Sequence, residues 1–381
     1  AARDPAGIRP AYYYANDEIV VVASEKPAIK TTFNADYEEI KEITPGCALI
    51  INKNGDYEEK CFLEPLEKRS CSFERIYFSR GSDPEIYNER KNLGRLLCPQ
   101  VLKAIDYDLE NTVFSYIPNT AETAFLGMMN GLEEHLIHER VKAIQNGVDG
   151  ADLEKILRFK PRVEKLVIKD VKLRTFIADG EERDDLVGHV YDTTYEVIRK
   201  KVDTIVVIDD SIVRGTTLEK SIIHILDKLE PRRIIIVSSA PQIRYPDCYG
   251  IDMSKTQDFV AFRGMLNLLA KHRKNFLLNE VYEACKAAFA EGTAENVNHV
   301  KKLYDQFTEE EISAEIAEII KREHIKADVS IIFQTVNNLH NACPRHSGDW
   351  YFTGNFPTPG GNRVVNKAFI NFMEGKDGRA Y

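Results

Sequence analysis

The sequence predicts an α/β fold in which helices flank a parallel sheet. Three apolar runs rich in Val and Ile, at residues 112–118, 204–208 and 233–241, support this prediction. Such runs are typical of strands buried on both faces, as in parallel sheets. Between the second and third runs, residues 218–229 carry apolar side chains at helical spacing, which predicts the crossover helix of a right-handed parallel unit.

The loop between the second strand and this helix carries the strongest functional signal. It reads Asp209-Asp-Ser-Ile-Val-Arg-Gly-Thr-Thr217 and combines two carboxylates, three hydroxyls, one Arg and one Gly. At the carboxyl end of a parallel strand it lies where α/β sheets bind ligands, and the helix N-terminus that follows favours a phosphate. The two acids need a cation such as Mg²⁺, or sugar hydroxyls, because like charges repel. The residues therefore predict a site for a phosphorylated ribose with its metal. The alternative is a strand–loop–helix turn with solvated acids, and the full run in this context disfavours it.

Composition and charge exclude several classes of protein. The chain has 381 residues, enough for roughly two or three domains, and its 43% hydrophobic and 29% charged content is ordinary for a globular protein. The formal net charge of −9 argues against a nucleic-acid binder. No apolar run approaches the roughly twenty residues of a membrane span, and no segment has the features of a signal peptide. Seven Cys without a Cys-x-x-Cys pair predict reduced thiols and a cytoplasmic protein rather than a disulfide framework.

The loop resembles the phosphoribosyl pyrophosphate (PRPP) loop of type I phosphoribosyltransferases, and is most similar to that of glutamine amidophosphoribosyltransferases. Two further segments, Arg3-Asp-Pro-Ala-Gly-Ile-Arg-Pro10 and the Gln-Ile-Arg-Tyr-Pro-Asp-Cys-Tyr-Gly-Ile-Asp-Met run at 242–253, resemble the same family. The resemblance covers most of residues 1–260 and 307–375. It implies an enzyme that forms 5-phosphoribosylamine from PRPP and glutamine-derived ammonia, the first step of purine biosynthesis.

The resemblance also implies a division of the chain. Residues 1–70 resemble the C-terminal part of the family's glutaminase domain, a β-rich N-terminal-nucleophile sandwich, and residues 71–261 the phosphoribosyltransferase domain. Residues 262–306 match nothing in the family and are expected to form a helical insertion, and 307–381 to pack on the transferase domain. The family's catalytic Cys is residue one after processing, and position 1 here is Ala. We therefore expect this chain to be a fragment of a longer protein that by itself does not hydrolyse glutamine.

The resemblance assigns roles to individual residues. A Mg²⁺ site is expected at Thr120, Asp209 and Asp210. The flap expected near residues 169–177 keeps Arg174 but departs from the family pattern at Ile168, Val171 and Leu173. The expected PRPP contacts are Asp209, Asp210, Ser211, Ile212, Val213, Arg214, Gly215, Thr216, Thr217 and Arg174.

The expected partners also follow from the resemblance. They are PRPP, glutamine or ammonia, purine nucleotide inhibitors and further copies of the chain, without nucleic acid or membrane. No iron–sulfur cluster is expected, because only Cys71 stands at a position where some family members have a ligand; a buried, apolar role is expected for it. Two alternatives stay open from the loop alone: a nucleobase phosphoribosyltransferase, and a regulator that senses PRPP without reacting with it.

Overall fold

The computed structural model describes residues 1–169, 191–251 and 253–380. The strands in these ranges are β1 Tyr12–Ala15, β2 Val20–Ala23, β3 Lys41–Glu42, β4 Cys47–Ile51, β5 Tyr57–Cys61, β6 Thr112–Tyr116, β7 Arg162–Val163, β8 Val167–Lys169, β9 Tyr191–Thr193, β10 Thr204–Asp209, β11 Arg233–Ser238 and β12 Asp328–Phe333. The helices are α1 Lys26–Phe33, α2 Pro84–Ala104, α3 Glu122–Gln145, α4 Gly150–Arg158, α5 Ile223–Asp227, α6 Val260–Lys271, α7 Phe276–Ala290, α8 Lys301–Tyr304, α9 Glu309–Ile320, α10 Val336–Ala342, α11 Trp350–Thr353 and α12 Pro359–Met373. Single π-helical turns lie at Glu74–Phe78 and at Leu218–Ile222, the second directly before α5.

The centre of the fold is a five-stranded parallel sheet in the order β12-β11-β10-β6-β7. Residues 205–208 of β10 are fully buried and alternate between two hydrophobic clusters. Val206 and Ile208 pack under α2 and α3, whereas Ile205 and Val207 face the cluster that includes α5, α6 and α9. Burial on both faces explains the continuous apolar runs. The predicted α/β fold with a parallel sheet is confirmed.

The first seventy residues form small antiparallel sheets, as the β-rich prediction required. Strands pair in the order β2-β1-β3, and β4 pairs with β5 across a turn at residues 52–55. This hairpin sets Cys47 directly opposite Cys61, and the two form a disulfide. The expectation of seven reduced thiols is therefore wrong. The hairpin register, which spacing alone did not reveal, brings this pair together; the other five Cys are free, and Cys71 is fully buried as expected.

Helices α2 and α3 cross at unusually close range because each carries a Gly at the contact. A Cβ on Gly94 would lie 1.7 Å from the Ala124 carbonyl oxygen, and a Cβ on Gly127 would lie 1.8 Å from the Lys91 carbonyl oxygen. Only a residue without a side chain allows this approach. The crossing holds the first turns of α3 against α2.

Residues 262–306 belong to the main hydrophobic core. Leu269 of α6, Val281 of α7 and Leu303 of α8 lie in the same buried cluster as the sheet. That this region is an insertion stays a prediction. Strand β7 extends the parallel sheet beside β6, whereas β8 pairs separately with β9. No helix in the described part of the chain is long and apolar enough to span a membrane.

Candidate functional site

The two acids of the predicted loop lie at the carboxyl edge of the sheet, at the end of its central strand. Asp209 is the last residue of β10 and pairs with Ser238 of β11. The Asp210 N–H donates to an Asp209 carboxylate oxygen at 2.9 Å, and the Ser239 hydroxyl donates to the Asp210 carbonyl at 3.1 Å. Both acids are half-buried. The sequence therefore located this pair correctly, at the edge where α/β sheets bind ligands.

Among the described residues, the two carboxylates of this acid pair have too little positive charge beside them to balance their own. Burial raises the pKa of Asp209 well above its ordinary value, and the neighbouring Asp210 carboxylate adds to the effect. Burial also raises the pKa of Asp210, although the Ser211 hydroxyl and the Arg90 guanidinium oppose it. Within the described ranges, no ion pair joins either carboxylate to a Lys or Arg. A bound cation would lower the pKa of both carboxyl groups, because an opposite charge favours their ionised form.

Thr120 lies at the same site, as the sequence predicted. It follows β6 and precedes α3, and its side chain is among the groups that oppose the raised pKa of Asp210. The peptide bond between Pro118 and Asn119 is cis. Two carboxylates and a hydroxyl are the hard oxygen ligands that Mg²⁺ prefers. The donor set thus fits the expected metal, and no group of three His, Cys, Asp or Glu suited to a metal exists among the described residues.

The backbone of the loop turns its N–H groups inward. The Val213 carbonyl accepts from the Val260 N–H at 2.9 Å, and the Arg214 carbonyl accepts from the Arg263 guanidinium at 2.6 Å. In a trans peptide the C=O and the next N–H point in opposite directions. The N–H groups of Arg214 and Gly215 therefore point away from α6, into the space that the loop encloses.

Gly215 makes this turn possible. Its φ is +73°, and a Cβ there would meet the Ile320 and Val260 side chains at 3.2 and 3.3 Å. No acceptor among the described residues binds the N–H of Arg214, Gly215 or Thr216. Inward N–H groups without acceptors, at the start of a helix, form a site for an anion.

The chain is similar in sequence to several amidophosphoribosyltransferases. The sequence is 29% identical over 272 residues to the amidophosphoribosyltransferase of Escherichia coli (strain K12), covering 68% of this chain and 47% of that protein. It is 30% identical over 265 residues to the Bacillus subtilis (strain 168) enzyme, covering 68% and 48%. This chain is a relative of the amidophosphoribosyltransferases. It spans about half the length of the curated relatives it matches. No protein-family model matches it.

A solved structure extends the likeness to the fold. Glutamine PRPP amidotransferase from B. subtilis, complexed with ADP and GMP, superposes with a TM-score of 0.58 at 24% identity, covering 94% of this chain and 61% of that chain. A second structure, titled as the allosteric regulatory enzyme of purine biosynthesis, gives the same TM-score at 23% identity. At this identity the likeness shows the amidotransferase fold.

Three residues near the acids were missed by reasoning from sequence. Arg90 of α2 is buried, donates to the carbonyls of residues 75, 77 and 79, and its charge opposes the raised pKa of Asp210. Burial raises the pKa of Tyr77 and raises that of Tyr191 to about 12, and the two carboxylates of the acid pair add to both effects. The sequence offered one indication that Arg90 has a role, its position on the apolar side of a helix. It offered no indication for the two Tyr.

The expected flap lies largely outside the described residues. Arg174, Val171 and Leu173 fall in the range 170–190, so the proposed pyrophosphate contact of Arg174 stays a prediction. The strands that border this range are described: β8 and β9 pair antiparallel, with Lys169 opposite Tyr191. Tyr191 lies near the acid pair, since both carboxylates act on its pKa, so the described residues that border this range lie beside the candidate site.

The remaining predicted contacts follow the loop. The Ser211 hydroxyl donates to Asp210 at 2.9 Å, and Ile212 is buried. The Arg214 guanidinium pairs with Asp258 at 3.2 Å, on the α6 side of the loop. The Arg214 side chain therefore lies on the α6 side, and its predicted contact with PRPP stays a prediction. Thr216 and Thr217 open the helix that follows.

Proposed function

We propose that this chain binds PRPP with Mg²⁺ and transfers its phosphoribosyl group to ammonia, as an amidophosphoribosyltransferase does. The observation that carries the proposal is the acid pair beside the inward-facing N–H groups of one loop. These two features match the two ends of PRPP, since the diol and metal need oxygen acceptors and the 5-phosphate needs donors. The relationship to named amidophosphoribosyltransferases supports the same reaction.

Each group has a task in this reaction. Asp209 and Asp210 accept from the ribose hydroxyls, and together with Thr120 they supply the oxygen ligands for Mg²⁺. The N–H groups of residues 214–217 bind the 5-phosphate, which fixes the ribose in place. A bound Mg²⁺ supplies positive charge for the leaving pyrophosphate.

Ammonia attacks C1 of the ribose as the bond to pyrophosphate breaks, giving 5-phosphoribosylamine and pyrophosphate. No protein nucleophile is needed, so catalysis rests on positioning and charge. Arg174 is proposed to contact the pyrophosphate. In the longer relatives glutamine is the named source of nitrogen; for this chain we propose free ammonia as the donor, and glutamine only with a glutaminase partner.

Regulation and assembly are part of the proposal. The B. subtilis relative was solved with ADP and GMP, and we propose that purine nucleotides inhibit this chain by competing for its phosphate site. We also propose a homo-oligomer, without nucleic acid or membrane as partner.

The test is one assay with several acceptors. The chain is incubated with PRPP and Mg²⁺, then with ammonia, glutamine or a purine base, and pyrophosphate release is measured. Release that depends on ammonia supports the proposal. Release with a purine base would replace it by nucleobase transfer, and PRPP binding without release would replace it by a regulator.

Variants connect this activity to the acids. Asp209→Asn and Asp210→Asn should each lower turnover by roughly 100-fold or more, because both ribose contacts and metal charge are lost. Asp328→Asn makes the same chemical change at the amino edge of the sheet, where an exposed Asp pairs with Arg233, and should leave turnover unchanged. Equal activity of all three variants would refute the assignment.

A further inference from the structure

Helix α6 contacts the phosphate loop from the side opposite the proposed ligand. Asp258, just before α6, pairs with the Arg214 guanidinium; the Val260 N–H donates to the Val213 carbonyl; and Arg263 donates to the Arg214 carbonyl at 2.6 Å. These contacts come from a segment about fifty residues further along the chain, at the start of the region expected to be an insertion.

The contact of Arg263 differs from the other two because it fixes the direction of one backbone N–H group in the loop. Asp258 binds a side chain, and Val260 uses a backbone N–H that any residue except Pro supplies. Arg263 reaches the carbonyl of the peptide whose other end is the Gly215 N–H. Because that peptide is planar, fixing its C=O also fixes the direction of its N–H. Gly215 has the freest backbone in the loop, so this peptide is the one most in need of an external contact.

We propose that Arg263 is a positioning residue that holds the Gly215 N–H toward the 5-phosphate. This inference rests on the proposed function, since it names the residue that shapes the phosphate subsite. Arg263 does not touch the substrate itself. The charge-assisted bond to a carbonyl is stronger than a neutral one, and suits a contact that must keep one peptide orientation against thermal rotation.

Arg263 is also accessible to a small molecule. Together with Arg214, Thr216, Gln257 and Asp258 it lines an open pocket of about 350 Å³ beside the loop. Removing the Arg side chain leaves space there that a free guanidinium compound can enter. The loop can therefore be tested by chemical rescue as well as by substitution.

The experiment compares Arg263→Met, Arg263→Lys and Arg363→Met in the PRPP and ammonia assay. We expect Arg263→Met to raise the KM for PRPP roughly tenfold with kcat nearly unchanged, because the phosphate contact is equal in the ground and transition states. Arg263→Lys keeps a donor and should stay within about threefold of the wild type. Arg363 is an exposed residue of α12 that pairs with Glu295. Arg363→Met is therefore the matched control, and its kinetics should equal those of the wild type.

Three further readouts separate positioning from a general loss of structure. In an Arg263→Ala variant, where the space of the Arg side chain is open, ethylguanidine at millimolar concentration should restore part of the PRPP affinity, and it should do nothing to the wild type. Binding of ribose 5-phosphate, measured by calorimetry, should weaken in parallel with the KM. All variants should melt within a few degrees of the wild type.

The outcomes are distinguishable. A wild type that turns over PRPP, beside an Arg263→Met variant with the same KM and ribose 5-phosphate affinity, would overturn this inference and leave the proposed function intact. A fall in kcat without a change in KM would overturn it too. A wild type that binds neither PRPP nor ribose 5-phosphate would overturn the proposed function and this inference together.

Discussion

The contact between α2 and α3 predicts a substitution that weakens both the fold and the site. In Gly127→Ala, the new Cβ would lie 1.8 Å from the Lys91 carbonyl oxygen, and contacts under 3.0 Å do not occur. The helices must therefore separate by roughly 1.2 Å, and a gap near 1 Å already removes up to half of each dispersion contact. Overpacking of this kind costs about 3 kcal/mol, and the better helix propensity of Ala returns about 1 kcal/mol. We expect a net loss of about 2 kcal/mol.

The same substitution should reach the ligand site. Thr120 lies two residues before the start of α3, so a shift of α3 away from α2 moves this residue relative to Asp210. We expect weaker binding of PRPP with Mg²⁺ in addition to the lower free energy of unfolding. Thermal and urea unfolding measure the first effect, and calorimetric titration with PRPP the second.

A matched control lies in a different helix. Gly360 sits in the first turn of α12, and a Cβ there would have no neighbour within 4 Å. Gly360→Ala should therefore be neutral or slightly stabilising. If Gly127→Ala unfolds and binds like the wild type, or if both variants lose stability equally, the close crossing does not hold the site as argued.

Four more predictions follow from the charges and the disulfide. Because the pKa of Asp210 is raised in the folded chain, the free energy of unfolding falls as pH rises from about 4 to neutral. Asp210→Asn should therefore raise the free energy of unfolding at pH 7 in the absence of metal. An unchanged value would contradict this prediction. Asp203→Asn should do the opposite, because hydrogen bonds from two Arg side chains outweigh burial and lower the Asp203 pKa. Burial lowers the pKa of His346 to about 3, so stability is lost as pH falls below the unfolded value near 6.5; His346→Gln should lose about 2 kcal/mol less than the wild type between pH 7 and pH 5 in urea titrations. Cys61→Ser removes the Cys47–Cys61 disulfide and should lower the stability of residues 1–70 by about 3 kcal/mol, measured as faster amide exchange. A reductant should then speed amide exchange in the wild type but not in the variant.

The sequence by itself determined the features that depend on neighbouring residues. The apolar run ending at Asp209 made β10 a buried strand, and the acids, hydroxyls and Gly after it defined the chemistry of the loop. The start of α9 is likewise local, because Thr308 and Glu311 form a capping box there. Local propensity, capping and polarity are written in consecutive residues, so one sequence is enough to find them.

Tertiary structure alone decided which distant groups meet. Gly94 and Gly127 have a role only because α2 and α3 cross at close range. Packing brings Arg90 close enough for its charge to act on Asp210. Packing also brings Arg263, from the region expected to be an insertion, to the phosphate loop. The disulfide needed a hairpin register. These contacts join residues far apart in the chain, and their geometry follows from how helices and strands pack, which the local pattern does not encode.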